Sequence, residues 1–148
     1  MKIWIIGAYG IVSTTAMVGA KAIEKNLTSK VGLISALPPF KKIDEYVPFS
    51  FEFGGHEIRP LTNAYEAAYE HWEMNRHFEK ELLEAVKEDL SQIVAAKGTA
   101  LNCGSGIEGL GEIKTLEDEG LTLREIVDRI LEDMRKFADD ETVVINVA

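Results

Sequence analysis

The chain has 148 residues, with 16 Lys and Arg against 25 Asp and Glu, a formal net charge of −9 at pH 7. At 46% hydrophobic residues it can bury a core, and its 4 prolines and single cysteine, Cys103, fit neither low-complexity disorder nor a disulfide scaffold. The acidic balance argues against nucleic acid as a partner, because phosphates would be repelled, and no apolar run reaches the ~18 residues of a membrane span.

Ile3-Trp4-Ile5-Ile6 is a short apolar run rich in β-branched residues and bounded by Gly7. It reads as a strand buried on both faces, as in a parallel sheet. Lys2, this run and Val18-Gly19-Ala20 imitate a secretory signal. Gly7, Gly10 and Ser13-Thr14-Thr15 interrupt the apolar stretch, so the segment is read as mature protein. Val12 to Lys25 reads as a helix, and Val31-Gly32-Leu33-Ile34 as a second strand, which together make a βαβ unit.

Past Leu37-Pro38-Pro39-Phe40, the alternation Phe49-Ser50-Phe51-Glu52-Phe53 predicts a half-buried strand, broken by Gly54-Gly55. Asn63 opens a helical stretch carrying Tyr65, Tyr69 and Trp72. A second helix is expected from about Phe78 to Ala95, with Leu82, Leu83, Val86, Leu90, Ile93 and Val94 on one face. Ala100 to Cys103 is a short apolar piece before a Gly-rich loop. Thr122 and Glu125 form a capping box for the last helix. Its expected buried stripe is Leu123, Ile126, Val127, Ile130, Leu131, Met134 and Phe137, with i,i+4 pairs Glu125–Arg129 and Glu132–Lys136. Thr142 to Val147 again has a buried-strand pattern.

The fold class is α/β: a Rossmann-like parallel sheet with flanking helices, incomplete because the chain ends at a central strand, where a loop and crossover helix should follow. The expectation is therefore the amino-terminal part of a longer protein. The alternative is a complete small α/β domain.

Gly7 to Ser13 follows the first strand and opens a helix, the place where a dinucleotide pyrophosphate docks on free helix N–H groups. The pattern is a variant of G-x-G-x-x-G, with Tyr9 at the second glycine position and Val12 at the third. Gly104 to Gly109 matches that motif literally, but Leu110-Gly111-Glu112 is a poor helix start, and Glu108, Glu112 and Glu117 would repel phosphate. It is read as a surface loop. A ribose-binding acid belongs at the end of the second strand, where this reading finds only Ser35-Ala36. Either the cofactor is NADP, helped by Lys41 or Lys42, or the acid comes from elsewhere, with Glu57 the best substitute. His56, His71 and His77 lack metal-ligand spacing, and Cys103 reads as a small buried residue.

Four separated segments resemble archaeal myo-inositol-1-phosphate synthase: residues 7–19 (Gly-Ala-Tyr-Gly-Ile-Val-Ser-Thr-Thr-Ala-Met-Val-Gly), 49–58 (Phe-Ser-Phe-Glu-Phe-Gly-Gly-His-Glu-Ile), 97–104 (Lys-Gly-Thr-Ala-Leu-Asn-Cys-Gly) and 143–148 (Val-Val-Ile-Asn-Val-Ala). The resemblance covers the whole chain. It implies a cytoplasmic, NAD-dependent isomerase of inositol and phospholipid biosynthesis that converts D-glucose 6-phosphate to 1L-myo-inositol 1-phosphate. The sugar is oxidised at C5, enolised at C6, closed onto its C1 aldehyde and reduced again, so a redox cofactor serves a net isomerisation.

The resemblance places the pyrophosphate turn on Gly7, Ala8, Tyr9, Gly10, Ile11 and Val12, with Ser13 and Thr14 at the helix start. It matches the family's Gly-Trp-Asp-Ile stretch to Gly55-His56-Glu57-Ile58, making Glu57 the ribose acid and NAD the cofactor. Asn146, Val147 and Ala148 would approach the nicotinamide half. Residues 1–148 are thus expected to be the NAD-binding Rossmann-type domain, in part, of an enzyme that is commonly tetrameric. Its catalytic lysines and phosphate-binding residues belong to an α+β domain absent from this sequence, so no catalytic residue is assigned, nor any metal. A non-catalytic nucleotide-binding module and another NAD(P)-dependent dehydrogenase remain the alternatives.

Overall fold

The computed structural model describes residues 1–101, 107 and 112–148. The Gly-rich segment around Gly104–Gly109, together with Asn102 and Cys103, lies outside the described residues except for Ile107. In chain order the elements are β1 (Lys2–Ile6), α1 (Ile11–Glu24), α2 (Ile43–Tyr46), β2 (Glu52–Glu57), α3 (Ala64–Asn75), α4 (Lys80–Ala85), α5 (Lys87–Ser91), β3 (Ala96–Lys97), α6 (Leu123–Phe137) and β4 (Val143–Asn146). The strands form a parallel sheet in the order β3-β2-β1-β4, so the α/β class and the Rossmann-like layering are observed. β4, expected as a buried central strand, instead lies at the edge of this sheet among the described residues, and its four residues are exposed, because only β1 pairs with it.

The second strand is not where periodicity placed it. Val31 is 88% exposed and Gly32 has φ +96°, so residues 31–33 turn, and Ile34–Ala36 is a short 3-10 helix. The strand beside β1 is β2, in register from Lys2 opposite Glu52 to Ile6 opposite His56. Gly54 and Gly55, expected to end a strand, lie inside β2. Their lack of side chains is a packing requirement. A Cβ on Gly54 would come within 2.9 Å of the Trp4 ring, and one on Gly55 within 2.2 Å of the Ile5 carbonyl and 2.8 Å of the Ala8 methyl.

Side chains alternate across the sheet. Ile5, Phe53 and Ala8 face a core shared with Met17 and Val18 of α1, Ala67, Ala68 and Trp72 of α3, and Leu83, Val86 and Leu90. The helix expected over 78–95 is two short helices that turn at Val86, yet Leu83, Val86, Leu90 and Ile93 are buried as the pattern required. Asn63 caps α3, its side chain accepting from the Glu66 N–H at 3.0 Å.

The opposite face carries Trp4, Gly54 and His56, and α6 covers it. The Trp4 and Phe137 rings lie 5.2 Å apart, and Lys2 Nζ donates to the Phe137 carbonyl. The Thr122–Glu125 capping box forms as expected. The buried stripe does not: only Ile126 is buried, while Leu123, Val127 and Leu131 are exposed, because α6 meets the sheet along one edge of that stripe. The Glu125–Arg129 pair is also absent. Glu125 is held by Thr122, and Arg129 reaches Asp133 instead, whereas Glu132–Lys136 forms at 2.8 Å.

Candidate functional site

The carboxyl ends of the four strands open into one cleft of about 520 Å³. This is where ligands bind in open α/β sheets, and the volume is in the range of small-molecule sites. Its described walls are Ile6, Gly7 and Gly10 from the first turn, Glu57 to Arg59 from the end of β2, Gly98 and Thr99 after β3, Val147 and Ala148 after β4, and His56, Ile107 and Ile130.

The turn is built from its own backbone. The N–H groups of Gly7 and Ala8 both donate to the His56 carbonyl, and Gly10 N–H returns to the Gly7 carbonyl. Gly7 has φ +82°, a region that disfavours any side chain, and a Cβ there would press on Ala148 at 3.1 Å. Gly10 is the N-cap of α1 and brings no capping side chain, so the first-turn amides of Ile11 and Val12 stay available at the positive end of the helix. Ser13 and Thr14 are buried and brace the turn from behind, Ser13 Oγ on the Gly7 carbonyl at 2.6 Å and Thr14 Oγ1 on the Gly10 carbonyl at 3.0 Å.

Tyr9 is the residue the variant motif left unexplained. Its ring points away from the cleft into the core, and its Oη accepts the Ala95 N–H at 2.8 Å. Burial pushes the phenol above its ordinary pKa. The Tyr9 N–H donates to Glu57 Oε2 at 2.7 Å, and its carbonyl accepts from His71 Nε2 at 2.9 Å and from Arg59. The ring is therefore a plug that ties the turn to the core.

Glu57 closes β2, the strand next to β1. The rule that a ribose acid ends the second strand thus points to Glu57 once that strand is located, and Ser35-Ala36 drops out. Its other oxygen accepts the N–H groups of Ile58 at 2.8 Å and Arg59 at 3.2 Å. Among the described lining residues no lysine appears, so Lys41 and Lys42 are not at the cleft. Of the expected site residues, Gly7, Gly10, Glu57, Val147 and Ala148 line it; Ala8, Tyr9, Ser13 and Thr14 are buried beneath the turn. Asn146 holds the strand end, its Oδ1 accepting the Ala148 N–H at 3.1 Å.

Two contributors were not anticipated. Arg59 lines the cleft two residues after Glu57, just past the end of β2, and this closeness in sequence could have drawn attention to it. His56 is buried at the floor. Indole N–H is only a donor, so the 3.1 Å bond from Trp4 Nε1 makes His56 Nδ1 an acceptor and leaves the proton on Nε2, 3.7 Å from Asp133. Burial holds the His56 pKa below its ordinary value, against the pull of the Asp133 carboxylate.

The family described as myo-inositol-1-phosphate synthase, by the model of its NAD-binding domain, matches residues 1–148. This chain belongs to that family. Among solved structures, a myo-inositol-1-phosphate synthase-related protein from Thermotoga maritima superimposes with a TM-score of 0.64 at 19% identity, over 99% of this chain and 34% of the other. Inositol-3-phosphate synthase from Caenorhabditis elegans gives 0.68 at 18% identity, again over 99% and 34%. These likenesses establish the fold, and the chain spans about a third of either relative. No curated protein matches the sequence. Among the described residues no helix is long and apolar enough to cross a membrane.

Proposed function

We propose that residues 1–148 form an NAD-binding domain and are the cofactor-holding part of a myo-inositol-1-phosphate synthase of archaeal type, acting in the cytoplasm. The carrying observation is the Glu57 carboxylate at the end of β2, bonded to the N–H of the glycine-bounded turn. A carboxylate there accepts a hydrogen bond from the ribose 2′-hydroxyl and repels a 2′-phosphate. The bare turn at Gly7 and Gly10 and the amides of Ile11 and Val12 would take the pyrophosphate. Val147 and Ala148, across the cleft from Glu57, would border the nicotinamide half, with Asn146 fixing their backbone.

NAD, where bound, supplies reversible hydride acceptance. This chain's residues supply binding and orientation, and no lysine for proton transfer lines the described cleft. Conversion of D-glucose 6-phosphate to 1L-myo-inositol 1-phosphate therefore belongs to the whole enzyme, a homotetramer in this reading. Purified residues 1–148 should make no inositol phosphate at any NAD concentration.

Isothermal titration tests the cofactor assignment. NAD binding at micromolar concentration or tighter, with NADP much weaker, supports it. Binding of neither points to a non-catalytic module, and preference for NADP to a different dehydrogenase.

A further inference from the structure

Among the described residues lining the cleft, Glu57 and Arg59 carry the charge, and both grip the same residue of the turn. Glu57 takes the Tyr9 N–H at 2.7 Å, and the Arg59 guanidinium donates to the Tyr9 carbonyl. The two opposite charges thus straddle one residue at the ribose end of the site. Arg59 is largely sheltered, its side chain 14% exposed, and its nearest acidic partner is Glu70, 3.5 Å away and 49% exposed. Such an exposed, long pair contributes little. His71 Nε2 lies 3.2 Å from the guanidinium, but both groups donate to the Tyr9 carbonyl, so His71 does not occupy an Arg59 donor. A guanidinium has five N–H donors in a planar fork suited to phosphate. The Tyr9 carbonyl and Glu70 leave several of them unused.

We propose that Arg59 is a specificity-determining residue, a latent reader of a ribose 2′-phosphate that Glu57 holds silent. The proposal rests on the NAD-binding assignment above and deepens it. Glu57 does two things: it accepts from the ribose 2′-hydroxyl, and it offsets a cation already placed at the same turn. Removing its charge leaves the guanidinium in the cleft with the half-exposed Glu70 as its remaining carboxylate partner.

The test is the ratio of NADP to NAD affinity, measured by isothermal titration on the 148-residue chain and three variants, with circular dichroism confirming the fold of each. Glu57→Gln should raise the ratio about tenfold or more, the scale of one charge-assisted hydrogen bond. Adding Arg59→Gln should abolish most of that gain, whereas Arg59→Lys, which keeps the charge, should retain part of it. In Glu57→Gln the ratio should also fall as salt rises, a readout that survives if Arg59→Gln fails to fold. A gain that persists in Glu57→Gln/Arg59→Gln, or that ignores salt, overturns the proposal while wild-type NAD binding stands. Absence of NAD binding by the wild type overturns the cofactor assignment and this proposal with it.

Discussion

The two faces of the sheet are held in different ways. On one, Ile5 and Phe53 sink into a core closed by α1, α3, α4 and α5, where Met17, Leu83, Val86 and Leu90 are fully buried. On the other, among the described residues, Trp4 and His56 meet α6 through Phe137 and Asp133, and Leu123, Val127 and Leu131 of that helix are exposed. The first face fixes the glycine turn, because Tyr9 and Ala8 belong to its core. The second contributes His56 and Ile130 to the cleft, and its close packing centres on Trp4, Gly54, His56 and Phe137. The half of the site anchored in the larger core is thus the half proposed to hold the pyrophosphate and ribose.

Adjacent glycines in β2 give the sharpest contrast. Gly55→Ala should cost about 4 kcal/mol or more, because its methyl meets the Ile5 backbone. Gly54→Ala should cost about 1–3 kcal/mol, because it meets the Trp4 and Phe137 rings, which can shift toward the open side. Denaturant melts compare them, and equal losses would erase the distinction between the faces. Truncation of leucines extends the comparison: Leu83→Ala should lose about 2–5 kcal/mol, and the exposed Leu131→Ala under about 0.5 kcal/mol.

Gly10→Val probes the turn itself. Gly10 has φ −64°, which a side chain accepts, so the variant should fold. Its added bulk should weaken NAD binding about tenfold, or about 1.4 kcal/mol. Unchanged affinity in a folded variant would remove this turn from the site.

The smallest effect concerns acid. His56 is neutral in the folded chain, with a pKa below the 6.5 of an ordinary histidine. The unfolded chain takes up its proton first as pH falls. The stabilisation from a neutral His56 is therefore complete above pH 6.5 and lost progressively below it, toward the folded pKa. Melting temperatures between about pH 7 and 5 should fall more steeply for the wild type than for His56→Gln. Parallel curves would mean that His56 does not couple the open face to pH.

The sequence made β1, α1, the start of α3 at Asn63, the Thr122 cap and the extended backbone of β4 legible, though not the exposure of β4, because each has a local cause: an apolar run, a glycine boundary or a polar residue at a helix start. β2 was misplaced because its glycines look like breakers when read locally, whereas their reason lies across the sheet at Trp4 and Ile5. The same error hid why Glu57 stands where it does. The resemblance reached that residue through its motif, and the strand pairing supplies the physical ground. The α6 stripe failed for a complementary reason: periodicity shows which face of a helix is apolar, but not whether anything covers it. Arg59 stands two residues after Glu57 in the sequence, but its role depends on Tyr9, whose N–H and carbonyl bond to the two side chains.

The position of β1 also bears on the order of folding. It is made within the first six residues, yet its two neighbours are β2, some fifty residues later, and β4, whose pairing partners are Val143 to Asn146. Contacts so distant in sequence slow folding, because the intervening loops must close before the contacts stabilise anything. A chain emerging from the ribosome can assemble β1, β2, α1 and α3 early, but one backbone edge of β1 stays unpaired until synthesis passes residue 146. An unpaired strand edge is a template for association between chains. The hazard at β1 is greatest during synthesis, and docking of β4 transfers the free edge, among the described residues, from β1 to β4.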